Sequence, residues 1–140
     1  MSDGLAVMTA SDFDEVEALW TAAGMWPHVG EDRAWVEAAA ARNSGCALVW
    51  KERGRVVGVV VGAWDGLRGW IYHFTVEGAC RKRGLGTKLL QAAEERLRDK
   101  GVRQINIMVY EKNEAAQEFY ARRGYEYSPV RVMRKRLCEE

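Results

Sequence analysis

Two rhythms of apolar residues run along this chain. Val16, Leu19, Trp20 and Ala23 recur at the three-to-four spacing of a helix, as do Leu85, Leu89, Ala93 and Leu97. Short runs rich in β-branched and aromatic residues mark strands instead: Leu5 to Met8, Cys46 to Trp50, Val56 to Trp64, Trp70 to Val76 and Ile105 to Val109. Ser11 is expected to cap the first helix, with Asp12, Asp14 and Glu15 placing negative charge in its first turn. Gly24 and Trp26-Pro27-His28 break that helix, and an alanine-rich one follows from Glu31 to Arg42. Glu52-Arg53-Gly54-Arg55 reads as a hairpin connection, and Asp65 to Gly69 as a second turn. Gly101 stands where the Leu85 helix needs a C-terminal cap. Asn113 caps a helix through Arg123, closed by Gly124, and the alternation of Val130 to Leu137 predicts a last strand. The predicted order is βααβββαβαβ. That is an α+β fold, with one mixed, mostly antiparallel sheet flanked by helices.

Composition narrows the class. A chain of 140 residues is long enough for a real core and is expected to form a single domain over residues 1–140. With 48% hydrophobic and 29% charged residues it reads as globular and soluble. A net charge of +1 argues against a nucleic-acid partner, which needs a basic excess. No run is long and apolar enough to span a bilayer, and residues 1–10 lack the cationic-then-apolar pattern of a signal peptide. Cys46, Cys80 and Cys138 are odd in number and scattered, so a reducing cytoplasm is the expected location. Only His28 and His73 accompany them, and no metal-ligand cluster is expected.

The chemistry concentrates in Cys80-Arg-Lys-Arg-Gly-Leu-Gly-Thr-Lys-Leu-Leu90, where consecutive cations meet a glycine loop that opens a helix. Such a loop lets backbone approach an anion, and the helix N-terminus adds partial positive charge. A P-loop would need Lys and Ser or Thr directly after its second glycine, but Leu85 follows Gly84. A dinucleotide fingerprint would need a third glycine where Leu89 stands. What remains is Val76-x-x-x-x-Arg81-x-x-Gly84-x-Gly86 between a strand and a helix.

That stretch resembles the [RQ]-x-x-G-x-[GA] hallmark of the GNAT superfamily of acetyl-CoA-dependent N-acetyltransferases. Asn113-x-x-Ala116-x-x-Phe119-Tyr120-x-x-x-Gly124-Tyr125 resembles a second segment of the same family, and the likeness runs from about Leu5 to Leu137. Within the family it is closest to the bacterial YpeA-like subgroup, through Gly62-Ala-Trp-Asp65-Gly66-Leu-Arg68-Gly69. The resemblance implies that Arg81, Lys82, Arg83, Gly84, Leu85, Gly86 and Thr87 hold the pyrophosphate of acetyl-CoA. It implies that the backbone of Phe74, Thr75 and Val76 runs beside the pantetheine, in a cleft opened where the next strand splays away. It places Asn113 and Tyr120 at the cofactor as well, with Tyr120 as the catalytic acid for the departing thiolate. Each has a bland alternative: Phe74, Val76 and Tyr120 as core, Asn113 as a helix cap.

Acetyl transfer needs a neutral amine, a hydrogen-bonded oxyanion and a protonated leaving thiolate. A phenol, with a reference pKa near 10, suits the last task. The base is open. The family's Glu or His positions fall on Trp70 and Tyr72, leaving Asp65, Glu77, Glu111, His73 or water, and strand alternation places His73 on the face opposite Tyr72. Met108 stands where family enzymes acting on a ribosomal protein N-terminus carry Glu, which counts against that acceptor. Trp26, Trp64 and Trp70 are candidates for lining an aromatic acceptor pocket or for the core. The expected activity is therefore acetylation of a small-molecule or protein amine, with a homodimer among the allowed assemblies. The alternatives are a CoA-binding module without catalysis, a protein N-terminal acetyltransferase, and an enzyme acting on aminoacyl-tRNA.

Overall fold

The longest strand is the most apolar, so it belongs in the middle of a sheet. The computed structural model describes residues 3–25, 33–81 and 83–137, in two units, 1–107 and 108–140. In the first unit the strands are β1 (Gly4–Val7), β2 (Ala47–Glu52), β3 (Arg55–Trp64), β4 (Gly69–Val76) and β5 (Ile105–Ile107). They form one sheet in the order β1-β2-β3-β4-β5, antiparallel except for the parallel pair β4–β5. The helices of this unit are α1 (Phe13–Ala22), α2 (Arg33–Arg42) and α3 (Leu85–Asp99).

Both faces of the sheet are covered. Phe13, Val16, Leu19 and Trp20 of α1 and Val36 of α2 bury against Val49, Val56, Val59 and Val61. On the other face α3 packs across β2, β3 and β4, with Leu89, Leu90, Ala93 and Leu97 fully buried. Burial of a side chain of this size contributes about 1.5–3 kcal/mol. The α3 crossover also explains the one parallel pair, because parallel neighbours need a long connection. The fold is the expected α+β class, and no described helix is long and apolar enough to cross a membrane.

Boundaries move in several places. Ser11 does not cap α1. A 3-10 turn, Ala10–Asp12, precedes the helix, and Asp12 Oδ2 accepts the Thr9 N–H at 2.9 Å. Asp12 is buried, and its Oδ1 takes Lys51 Nζ at 2.9 Å, tying α1 to β2. Burial alone would raise its carboxyl, but Lys51 and the Thr9 amide outweigh that and hold it below the usual carboxylate range. The strand expected over Cys46 to Trp50 runs on to Glu52, whereas the one expected to reach Val109 stops at Ile107. Glu31 and Trp26-Pro27-His28 lie outside the described residues.

The second unit holds α4 (Glu114–Ala121) and no strand among its described residues. The last strand expected over Val130 to Leu137 is therefore not formed, and Val130, Val132, Met133 and Leu137 are exposed. Alternation makes a strand only where a ladder is available, and this unit offers none.

Within β4 the alternation itself breaks. Thr75 pairs with Val59 and Tyr72 with Val61, so His73 and Phe74 together face Val60. This is a β-bulge, and His73 adopts a φ of 51° within it. Tyr72 packs against the α1 cluster, and the His73 ring lies 4.9 Å from the ring of Trp20 in that same cluster. The expectation that His73 faces away from Tyr72 is thus overturned, because the bulge inserts a residue and resets the phase.

Two outcomes follow for stability. A Cβ on Gly69 would sit 2.8 Å from Val102 Cγ1, inside contact distance, so Gly69→Ala should lose about 1–3 kcal/mol in urea denaturation. Asp12→Asn should lose about 1–3 kcal/mol at neutral pH. Because the folded carboxyl lies below its unfolded value, the contribution is complete above about pH 4 and disappears as pH falls through the folded pKa. Parent and variant should therefore converge in acid.

Candidate cofactor and catalytic site

The glycine loop is built on an apolar foot. After β4, the 3-10 turn Gly78–Cys80 drops Cys80 into a buried cluster with Val57 and Leu85, against which Trp50 and Val76 pack. The loop then turns at Gly84, whose φ of 77° is left-handed and suits glycine. Gly84 is the N-cap of α3, and Lys88 N–H to Gly84 O, at 3.1 Å, is the first bond of the helical ladder. The amides of Leu85, Gly86 and Thr87 come before that bond, where a helix presents N–H groups to an outside acceptor. No acidic side chain sits in this first turn, and a Cβ built on Gly84 meets no heavy atom within 4 Å. Open space over a positive helix end fits a phosphate group.

The arginines do something the sequence does not foretell. Arg81 Nε donates to the carbonyl of Val76 at 3.1 Å, fastening the loop to the end of β4. Arg83 forms a two-pronged pair with Glu52 at the end of β2, at 2.8 and 3.2 Å. Both side chains brace the loop. Lys82 lies outside the described residues.

β4 runs on to Val76, but its parallel ladder with β5 ends at Ile71↔Ile107. The pairing thus stops where the expected cleft begins. Thr75 is buried, with Oγ1 donating to Met25 Sδ at 3.2 Å, while Val76 packs on the loop's apolar foot. Phe74, Thr75, Val76 and the glycine loop are therefore brought together in one unit. Asn113 and Tyr120 belong to the other, on α4. Asn113 is its N-cap and accepts the Ala116 N–H at 3.1 Å. Tyr120 packs edge-on against Phe119 at 5.5 Å and Tyr125 at 5.7 Å, and burial pushes its phenol up to about 12.

Two base candidates are already engaged. Asp65 accepts the amides of Leu67 and Arg68, each at 2.8 Å, and Trp70 Nε1 at 3.3 Å. Those bonds, led by the Arg68 amide, hold it below the usual range, the signature of a turn-forming aspartate. Glu77 pairs with Arg55, which lowers its pKa too. Each is a weakened base. Glu111 stands before α4, where its carbonyl accepts Gln117 Nε2 at 2.9 Å. Trp70 stacks on Tyr72, centroids 6.4 Å apart, Trp64 is half-buried, and Trp26 is outside the described residues. Among the described residues no group of three or more His, Cys, Asp or Glu side chains is placed to hold a metal.

Sequence reasoning missed Glu52 and Trp20. Glu52 was absorbed into a hairpin connection, and only its pairing register reveals that it faces the loop. Trp20 reads from sequence as one more apolar helix position, yet its indole N–H donates to the His73 carbonyl at 2.9 Å.

A family model, the Acetyltransferase (GNAT) family, matches residues 11–125. Among solved structures the fold is similar to Ard1 from Thermoplasma volcanium, with a TM-score of 0.81 and 19% identity over 91% of this chain and 85% of that one. It is similar to the PaiA N-acetyltransferase from Thermoplasma acidophilum in complex with coenzyme A, at TM-score 0.77 and 15% identity, covering 94% of each chain. It is also similar to Arabidopsis thaliana Naa50 in complex with the bisubstrate analogue CoA-Ac-MVNAL, at TM-score 0.73 and 19% identity, covering 91% of this chain and 85% of that one. The family match spans most of the chain and includes the glycine loop, the bulged strand and the α4 segment. This chain belongs to the GNAT acetyltransferase family, and acetyl-CoA is its acetyl donor.

Proposed function

We propose that the chain is an N-acetyltransferase that moves the acetyl group directly to a primary amine of a small molecule or an exposed protein residue. The observation that carries this is the left-handed Gly84 at the head of α3, set beside a strand whose pairing with β5 has ended. Residues 11–125 of the family match cross the boundary between the two units, which supports treating 1–140 as one acetyltransferase domain. The Gly62 to Gly69 segment favours the YpeA-like subgroup, a cytoplasmic location follows from the cysteine pattern, and a homodimer is compatible with both.

In this reading the amides of Leu85, Gly86 and Thr87 hold the pyrophosphate, with Arg81, Lys82 and Arg83 adding screened charge. The backbone of Phe74, Thr75 and Val76 flanks the pantetheine, and Asn113 joins the cofactor contacts from α4. When bound, acetyl-CoA supplies an activated thioester carbonyl. Tyr120 donates a hydrogen bond to the thiolate as it leaves. A phenol near 12 keeps its proton throughout the range in which an amine loses one, so Tyr120 is always in the donating form. Since Asp65 and Glu77 are engaged, the amine's proton leaves to His73, Glu111 or water. The acceptor bound to Naa50 in its complex is a peptide analogue, and Met108 in this chain favours an acceptor other than a peptide N-terminus.

Gly84→Val forces a β-branched residue into a left-handed conformation and fills the space over the helix end. It should abolish acetyl-CoA binding in calorimetry while the protein stays folded. An unchanged affinity in a folded variant would remove the loop from the cofactor site.

Tyr120→Phe retains the ring packing and removes the donor. Acetyl-CoA affinity should hold within about threefold while kcat falls about a hundredfold, the lower end of what a lost general acid costs. Turnover close to the parent's with a competent amine would exclude Tyr120 from the mechanism.

A further inference from the structure

The bulge in β4 sits in a conformation that a histidine rarely takes, with φ at 51°. Such residues persist only where their surroundings hold them. The surroundings are specific here. Trp20 of α1 is fully buried, and an indole N–H is a donor only, so it needs an acceptor. The His73 carbonyl supplies it at 2.9 Å, and Thr75 Oγ1 approaches the same oxygen at 3.4 Å. His73 lies in the bulge between the Tyr72↔Val61 and Thr75↔Val59 pairs, and its carbonyl takes a bond from the helix layer there. The indole ring adds a contact with the imidazole at 4.9 Å, and Phe13 backs it edge-on at 6.0 Å.

We propose that Trp20 is a positioning residue for acetyl transfer, clamping the His73 bulge and thereby fixing the course of β4 along the acyl arm. The inference rests on the acetyltransferase reading above. Its physical basis is phase. The bulge puts Thr75 against Met25 on the α1 face and Val76 against the loop's apolar foot on the α3 face. Strict alternation from Ile71 would exchange the two. A slip of the bulge would exchange the faces of Thr75 and Val76 and displace the backbone that the acetyltransferase reading sets beside the pantetheine, and a displacement of even about 1 Å is worth roughly a hundredfold in rate.

The test compares the full-length chain with Trp20→Phe, which keeps a buried aromatic ring and loses the N–H. Benzothienylalanine at position 20 replaces only the N–H and serves where the Phe variant does not fold. In the cofactor-free protein, amide exchange at residues 73–75 should accelerate at least about tenfold, with α3 amides unchanged. Single-turnover acetyl transfer should slow by about ten- to a hundredfold per folded molecule, while the CoA dissociation constant stays within about twofold. Unchanged exchange at residues 73–75, an unchanged transfer rate, or a parallel loss of CoA affinity would each overturn the proposal. A parent chain that acetylates no amine would instead defeat the acetyltransferase reading, and the exchange measurement would still decide whether the clamp exists.

Discussion

Between Tyr72 and Thr75, β4 carries one residue more than β3 can match, and the place where it is absorbed fixes every side chain from there to the glycine loop. Upstream of the bulge, Gly69 and Ile71 face α3 and β5 packs alongside. Downstream, Val76 reaches that same face and joins Val57, Cys80 and Leu85 beneath the loop. The face on which Val76 meets the loop's foot is therefore set by the bulge. At the bulge the α1 layer adds a bond of its own, from the Trp20 indole N–H to the His73 carbonyl.

The loop shows how an anion site can be basic in composition yet built mainly from backbone. Arg81 holds Val76 O, and Arg83 is occupied by Glu52, so both charges are partly committed before any phosphate arrives. Exposed guanidinium groups contribute little to binding in salt, whereas helix-end amides held by packing lose no freedom when a ligand binds. Shape favours the same division of labour. Gly84 takes its left-handed turn without steric cost, and the Arg81 and Arg83 contacts tie the residues before it to the ends of β4 and β2.

Much of this was legible in the chain. Helical spacing located α1 and α3, β-branched runs located β2 to β4, and Gly84 and Asn113 stood where their caps and turns require them. These are local signals, each carried by a few consecutive residues. The failures share a cause: they depend on partners distant in sequence. Ser11 falls inside a 3-10 turn ahead of α1, a turn held by the Asp12 carboxylate through the Thr9 N–H and distant Lys51. Val130 to Leu137 alternates as a strand does, but alternation does not create a ladder within its own unit. His73 was assigned to the wrong face because a bulge is invisible to a period-two reading. Glu52 and Trp20 carry no motif at all, and their roles exist only once β2, β4 and α1 are in register.

Proton bookkeeping sets the final constraint on the proposed chemistry. A thiol ordinarily titrates near 8.5, and burial holds the Tyr120 phenol near 12. Complete transfer from that phenol to a free thiolate is then unfavourable. In the proposed reading Tyr120 therefore acts by sharing its proton as charge builds on sulfur, without producing a phenolate. The proton that finally neutralises the thiolate has to come from elsewhere. In the proposed reading the attacking amine sheds one on forming the amide bond, to His73, Glu111 or water, and that group passes it on. Two engaged carboxylates, Asp65 and Glu77, are consistent with this economy, since a strong carboxylate base would take the proton that the sulfur needs. In that reading the phenol, raised by burial, keeps its own proton, and the lowered carboxylates of Asp65 and Glu77 do not compete for the one the amine sheds.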